Sequence, residues 1–328
     1  MYHCQEVEFY NQCVNMRKVA TCLRNIFIAS LTFVMVCGTA SAGDYALPFV
    51  RIVRDPVSAS MGFAGVASGA ETAYSSFRNS SVIPLAAENM SVGLSGQMWA
   101  PDGAKSTNLG FGAAFKAGGR LGFAVGGAYQ MGEEYSLTDE TGNPNGTFKP
   151  NDMVLNVGAG FLIMDNLTAG ANLRYASQKL STDNSYSGIS ADVFLTYRFS
   201  DLNVTAGVSS LGSSVKSQAG VSFSQPASAT VGADWHTAFS ELHGVRLAAD
   251  ADYFFSGNFT LAAGAQYSFK DMVFVRGGYH FGTEDAVLPS FATVGLGVRF
   301  FGVSLDFAYL MSNEVLGNTM TFGLGYRF

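Results

Sequence analysis

From about residue 89 to the end of the chain, hydrophobic and polar positions alternate with a period of two. In 319–328, Met320, Phe322, Leu324, Tyr326 and Phe328 alternate with Thr319, Thr321, Gly323, Gly325 and Arg327. Val303, Leu305, Phe307 and Tyr309 alternate with Ser304, Asp306 and Ala308. The pattern recurs in 259–269, 245–255, 191–199, 167–175 and 121–129. Successive side chains of a strand point to opposite faces, so each segment carries one apolar face and one small or polar face.

A soluble β-sandwich would alternate too, and three details decide against it. Most segments run ten residues or longer, whereas soluble strands usually run about 5–6 and a tilted membrane strand needs roughly 9–11. The apolar face often ends in an aromatic, as at Tyr129, Tyr175, Tyr197, Phe199, Tyr253, Phe255, Tyr267, Phe269, Tyr279, Phe281, Tyr309, Tyr326 and Phe328. Aromatics at strand ends form the interfacial girdles of a membrane barrel. The strand charges fall on the other face: Arg174, Asp192, Arg198, Asp234, Arg246, Asp250, Asp252, Arg276, Arg299 and Asp306. In lipid they would cost several kcal/mol apiece, while a wet lumen tolerates them. The pattern predicts an all-β fold, a transmembrane antiparallel β-barrel.

About fourteen strands are expected, at 89–100, 107–117, 120–138, 149–164, 167–180, 186–200, 202–212, 226–239, 244–256, 258–270, 272–283, 290–301, 303–312 and 318–328. The connections alternate in length. Gly118-Gly119, Asp165-Asn166, Ser200-Asp201, Lys270-Asp271 and Phe301-Gly302 read as tight turns, and 139–148, 181–185, 213–225, 284–289 and 313–317 as longer polar loops. Short periplasmic turns and long external loops are the asymmetry expected of such a barrel. Residues 43–88 lack the alternation and are rich in small residues, from Ser58 through Ala67. They are expected to fold into the lumen as a plug-like segment, the alternative being a loose periplasmic tail.

The start of the chain reads as a signal peptide, 1–42. Met16-Arg17-Lys18 and Arg24 supply positive charge, Ile26 to Val36 an apolar stretch, and Ala40-Ser41-Ala42 a small-residue cleavage site. Met16 is the expected initiator. Cys4, Cys13, Cys22 and Cys37 all precede that cut, which leaves no disulfide framework or thiolate metal site beyond it. Charged residues are only 13% of the chain, about half the usual share. Mean hydropathy is +0.19, yet no apolar run approaches the ~20 residues of a spanning helix. A net charge of −6 without Lys/Arg clusters argues against nucleic acid as a partner.

No catalytic constellation has useful spacing, and no enzymatic activity or cofactor is expected. His236, His243 and His280 lack a second His or Cys at a metal-ligand interval. Asp234 with His236, and Asp250 with Asp252, share strand faces, as structural lumen networks routinely do. Gly118-Gly119 and Gly126-Gly127 lack the strand-to-helix context of a phosphate loop.

The last eight residues, Thr321-Phe322-Gly323-Leu324-Gly325-Tyr326-Arg327-Phe328, resemble the terminal signal read by the barrel-assembly machinery, carried by Gly323, Tyr326 and Phe328. Other pieces are Leu47-Pro48-Phe49-Val50-Arg51, Asp55-Pro56 with the small residues to Ala67, and Asp139-Glu140-Thr141-Gly142-Asn143 through Gly146-Thr147-Phe148. Ser210-Leu211-Gly212, Leu305-Asp306-Phe307-Ala308-Tyr309 and Leu316-Gly317-Asn318-Thr319 complete the set. Together they make 45–328 resemble the PorV/PorQ family of Bacteroidetes outer-membrane proteins, relatives of the long-chain fatty-acid transporter (FadL-like) barrels. Where those relatives carry Trp/Phe-Asn-Pro-Ala in the hatch, this chain reads Phe77-Arg78-Asn79-Ser80.

The resemblance implies a place in the outer membrane of a Gram-negative bacterium, among its lipids. It also implies a docking, shuttle or anchor role in type IX secretion, with secretion components or secreted surface proteins as partners through the loops at 139–148, 213–225 and 284–289. The fatty-acid relatives imply the alternative, in which a hydrophobic small molecule passes through the hatch and out sideways. That alternative requires an apolar pocket among 43–88 and a gap in the wall.

Overall fold

The computed structural model describes residues 45–328 except 71, 100–104, 140, 183, 217–219, 284–285 and 312–318. The signal peptide, the four cysteines and the loop at 313–317 lie outside the described residues. Fourteen strands form one closed antiparallel barrel. In chain order these are β1 (Met90–Trp99), β2 (Ser106–Ala117), β3 (Leu121–Gly132), β6 (Asn151–Met164), β7 (Leu167–Lys179), β8 (Ser185–Phe199) and β9 (Leu202–Gly212). They continue with β12 (Ser228–Ser240), β13 (His243–Phe254), β14 (Phe259–Phe269), β15 (Val273–Gly282), β16 (Phe291–Phe300), β17 (Val303–Met311) and β18 (Thr319–Arg327). The ring closes where β1 pairs with β18, from Ser91↔Arg327 to Met98↔Met320.

Two further hairpins stand outside the barrel ladder, β4 (Tyr135–Thr138) with β5 (Pro144–Phe148) and β10 (Val215–Lys216) with β11 (Ser222–Phe223). The stretch 120–138, expected as one strand, is therefore two. The β3–β6 ladder ends at Met131↔Asn151, one residue before Pro150 on the opposing side. Proline has no N–H to extend a ladder, and the chain leaves the wall at Glu133-Glu134 to pair locally as β4 and β5. Much of the expected loop at 139–148 is thus strand, with the tip folded around Asp139. The Asp139 carboxylate accepts from the backbone N–H groups of Thr141 and Asn143, both at 2.9 Å.

The polarity of the wall is the reverse of a soluble protein's. On β18, Phe322 and Leu324 are about half exposed while Thr319 and Thr321 are fully buried. Leu109, Phe111 and Phe115 of β2 face outward and Asn108 inward. Apolar surface that circles the whole barrel far exceeds what a soluble monomer exposes and marks a lipid-facing band. At the tight-turn end, Phe301-Gly302 has positive φ at both positions, as a two-residue hairpin turn of the right twist requires, and Gly118-Gly119 has it within a three-residue turn closed by Ala117↔Leu121.

Residues 45–70 and 72–88 lie within the ring and include short helical turns: Pro48–Arg51, α1 (Pro56–Ser60), Ser75–Phe77 and Ser80–Leu85. Asp55 caps α1, its carboxylate accepting from Val57 N at 3.0 Å and Ser58 N at 3.1 Å, and Pro56 opens the first turn where no N–H is needed. Asn79 caps the last turn through Ser81 N at 3.0 Å. Ala59, Ser60, Ala64, Ser76, Ser80 and Ser81 are buried to the last atom or nearly so. Their small side chains bring plug backbone against wall glycines. A Cβ at Gly170 would overlap the backbone of Ser81, at Gly160 that of Ser80, at Gly112 that of Ala73 and at Gly278 that of Met61.

This fit predicts that Gly278→Ala destabilises the barrel by about 1–3 kcal/mol, the usual cost of overpacking. Gly96→Ala, whose new Cβ meets nothing closer than a leucine methyl at 3.9 Å, should stay within about 0.5 kcal/mol of the parent. Urea unfolding of both variants in lipid vesicles checks the contrast.

Candidate ligand site in the barrel lumen

Of the ten strand charges singled out from the sequence, Arg174, Asp192, Asp234, Arg246, Asp250, Arg276 and Asp306 are buried within the barrel, and Arg198, Asp252 and Arg299 are half-buried. The structure sorts most of them into pairs. Arg174 meets Asp192 at 2.9 Å, Arg246 meets Asp234 at 2.7 Å and Arg276 meets Asp306 at 2.7 Å, each across neighbouring or nearby wall strands. Arg299 reaches Asp271 at a turn, 3.3 Å away. Arg198 donates to Asn203 Oδ1 at 3.1 Å and to the Leu85 carbonyl of the plug.

Asp250 and Asp252 of β13 find their partners on the plug. Arg78 approaches Asp250 at 2.9 Å and Arg51 approaches Asp252 at 3.0 Å. Asp250 also accepts from Gly65 N at 2.8 Å and Val66 N at 2.9 Å. Sequence reasoning did not assign Arg51 and Arg78 this part. The signal was present, since an arginine within an otherwise small, apolar plug needs a carboxylate on the facing wall.

The plug divides the lumen into two spaces with no lining residue in common. Toward the turn end lies a polar vestibule of about 540 Å³ that includes Arg198, Asp234, His236, His243 and Arg299. Toward the loop end lies a cavity of about 90 Å³ walled by Phe63, Phe77, Phe194, Phe254 and His280, with Leu288 of the β15–β16 loop over it. His280 stacks on Phe291 with ring centroids 4.8 Å apart, and Phe63 lies edge-on to Phe291 at 4.8 Å. The guanidinium of Arg51 sits over the Phe254 ring at 5.0 Å and that of Arg54 over Phe77 at 5.9 Å.

Beside this cavity the wall ladder lapses. β9 pairs with β12 only up to Ser209↔Ser228, although β9 runs on to Gly212 against β8. A bulge sets Ser209 and Ser210 opposite Asp192, with Ser210 at φ 54°. Asp192 accepts from Ser210 N at 2.7 Å and Arg174 donates to Ser210 Oγ at 3.1 Å, which holds the bulge. Ser209, Ser210 and Thr230 line the cavity at this point. Gln225 covers the lapse, its amide donating to the carbonyls of Ile189 and Ser213 at 3.0 Å each.

No protein-family model matches this sequence, and a search of curated proteins returns no match. Solved structures do. The toluene transporter TbuX of Ralstonia pickettii superposes with a TM-score of 0.58 at 14% identity, covering 83% of this chain and 98% of that one. The toluene transporter TodX of Pseudomonas putida gives 0.58 at 14% identity, over 88% and 99% of the two chains. The monoaromatic hydrocarbon channel CymD gives 0.56 at 17%, over 83% and 96%. The barrel shares their fold. At these identities the likeness concerns the path of the chain, and residue roles rest on the geometry above.

Arg174→Met strips the buried Asp192 of its ion-pair partner and frees the bulge. Its expected cost is about 3–5 kcal/mol, as for other broken buried pairs, and a second change, Asp192→Asn, should recover part of it. Equilibrium unfolding in lipid of the single and double variants measures the coupling.

Proposed function

We propose that this barrel admits a small hydrophobic compound from the loop end of the lumen and passes it across the outer membrane. The observation that carries the reading is the aromatic-walled cavity of about 90 Å³ above an otherwise close-packed plug, adjoining the lapse between β9 and β12. Binding pockets for small molecules are concave, largely apolar and equipped with a few convergent polar groups. The cavity is smaller than the roughly 150 Å³ that holds benzene in an apolar core. At that size it has no room for a long acyl chain, and a single ring is the most it would take, with some yielding of its walls.

Fold neighbours described as toluene transporters and a monoaromatic hydrocarbon channel support the same reading. They also support a non-enzymatic role. The secretion role implied by the PorV/PorQ resemblance finds no support among them, and it rests on the quoted sequence pieces alone. Outer-membrane lipids around the apolar band, and the assembly machinery at the C-terminal strand, complete the expected partners.

The test is uptake by cells whose gene for this barrel is deleted and then restored, supplied with a labelled monoaromatic compound at limiting concentration. Restoration should raise uptake while the profile of secreted proteins stays the same. Ser209→Phe, which fills the cavity beside the lapse, should lower uptake by about tenfold, the factor that matches roughly 1.4 kcal/mol of lost binding. Unchanged uptake with altered secretion would replace transport by docking.

A further inference from the structure

The cavity is built for more than a hydrocarbon. Three of its lining side chains are more than nine-tenths buried and hold polar atoms without a hydrogen-bond partner among the described residues. These atoms are Arg54 Nε, Asp250 Oδ1 and the ring nitrogens of His280, which meet no partner at full hydrogen-bond geometry although the Gly62 backbone lies near the ring. Each residue is otherwise anchored. Arg54 donates through its other nitrogens to the carbonyls of Ile52 and Phe49, Asp250 is fixed through Oδ2, and the His280 ring is stacked on Phe291. Buried polar groups in folded proteins are nearly always paired, so unpaired donors and acceptors on side chains that line one cavity call for an occupant.

The chemistry of that occupant follows from what surrounds it. Phe63, Phe77, Phe194 and Phe254 supply ring surface. Four arginines, Arg51, Arg54, Arg78 and Arg174, face four aspartates, Asp55, Asp192, Asp250 and Asp252. The formal charges balance four to four, so the lining carries no net charge that would select an anion or a cation. An imidazole can give or take a hydrogen bond, the Arg54 Nε–H gives one and a carboxylate oxygen takes one. A neutral ring that bears a hydroxyl group matches the ring surface and pairs part of this polar set, giving one hydrogen bond and taking up to two. We infer that the cavity selects a hydroxylated monoaromatic compound, of the phenol type, over the bare hydrocarbon. The inference rests on the transport reading and adds the substrate class.

Phenol and toluene are the probes, since they match in size and differ in the polar group. Titration calorimetry on the full barrel in lipid nanodiscs should show phenol binding at least about tenfold more tightly than toluene, because a site built to bond a hydroxyl rejects the analogue that lacks it. His280→Phe keeps a ring against Phe291 and removes both nitrogens, and should bring the two affinities toward parity. Heat-modifiable mobility on gels verifies that the variant folds, and the ratio for the unaltered barrel stands without it. Uptake of both compounds by deleted and restored cells separates the outcomes. Toluene bound and taken up as well as phenol would overturn the inference and leave transport standing, the polar groups then being met by water. Neither compound bound nor taken up would overturn both.

Discussion

In hydrocarbon no water is at hand to satisfy a peptide group, so every backbone N–H and C=O in the wall must find its partner within the chain. Closure of β1 on β18 meets that demand, and most other features follow from it. A closed ladder leaves side chains as the sole variable on either face. Lipid dictates apolar residues outside, as in the outward row Phe322, Leu324 and Tyr326. The alternate positions then all point inward, and a ring of fourteen strands encloses more space than those side chains fill. Filling it falls to residues 45–88.

The plug meets the wall by two unlike means. Where backbone approaches backbone, the wall supplies glycine, and the plug brings Ala73, Ser80, Ser81 and Met61 against Gly112, Gly160, Gly170 and Gly278, so that shape alone sets the fit there. Where charge is involved, β13 holds the plug at two neighbouring inward positions, Asp250 with Arg78 and Asp252 with Arg51. Pairs withdrawn from water gain little net stability but are costly to break, so they fix orientation more than they add strength. Glycine contacts tolerate a small slide of the plug, and the two ion pairs oppose it.

The strands were legible because lipid and lumen impose opposite chemistry on alternate residues, and that constraint acts on each strand separately. Boundaries at β7, β9 and β17 fall within a residue or two of those read from the pattern. The miss at 120–138 came from a ladder partner, Pro150, that period-two reading does not consider. The site was legible only in part. Inward charges could be placed on a face, but pairing Arg78 with Asp250 depends on how an irregular segment threads the lumen. The Ser209-Ser210 bulge left no trace either, since its left-handed residue is a serine rather than the glycine such a position usually takes. Nor could alternation reveal the cavity, which gathers residues from the plug, several strands and a loop. The family resemblance points instead to the external loops.

For the proposed passage, two exits from the cavity differ in energy. The direct route to the vestibule requires the plug to move, which breaks Arg78–Asp250 and Arg51–Asp252 and exposes the glycine contacts. Stripping the buried Asp250 of its partner costs about 3–5 kcal/mol, and breaking the half-buried Arg51–Asp252 pair costs less. The sideways route leaves the plug in place. Its barrier is the Gln225 amide, held by two neutral hydrogen bonds to Ile189 and Ser213, each worth about 0.5–1.5 kcal/mol net. Asp192 and Arg174 keep the bulge open from the inner side, so displacement of Gln225 does not require the ladder to re-form. The lower barrier favours release into the membrane at the β9–β12 seam, where an apolar ring gains by transfer to lipid and its hydroxyl can turn toward the polar interface.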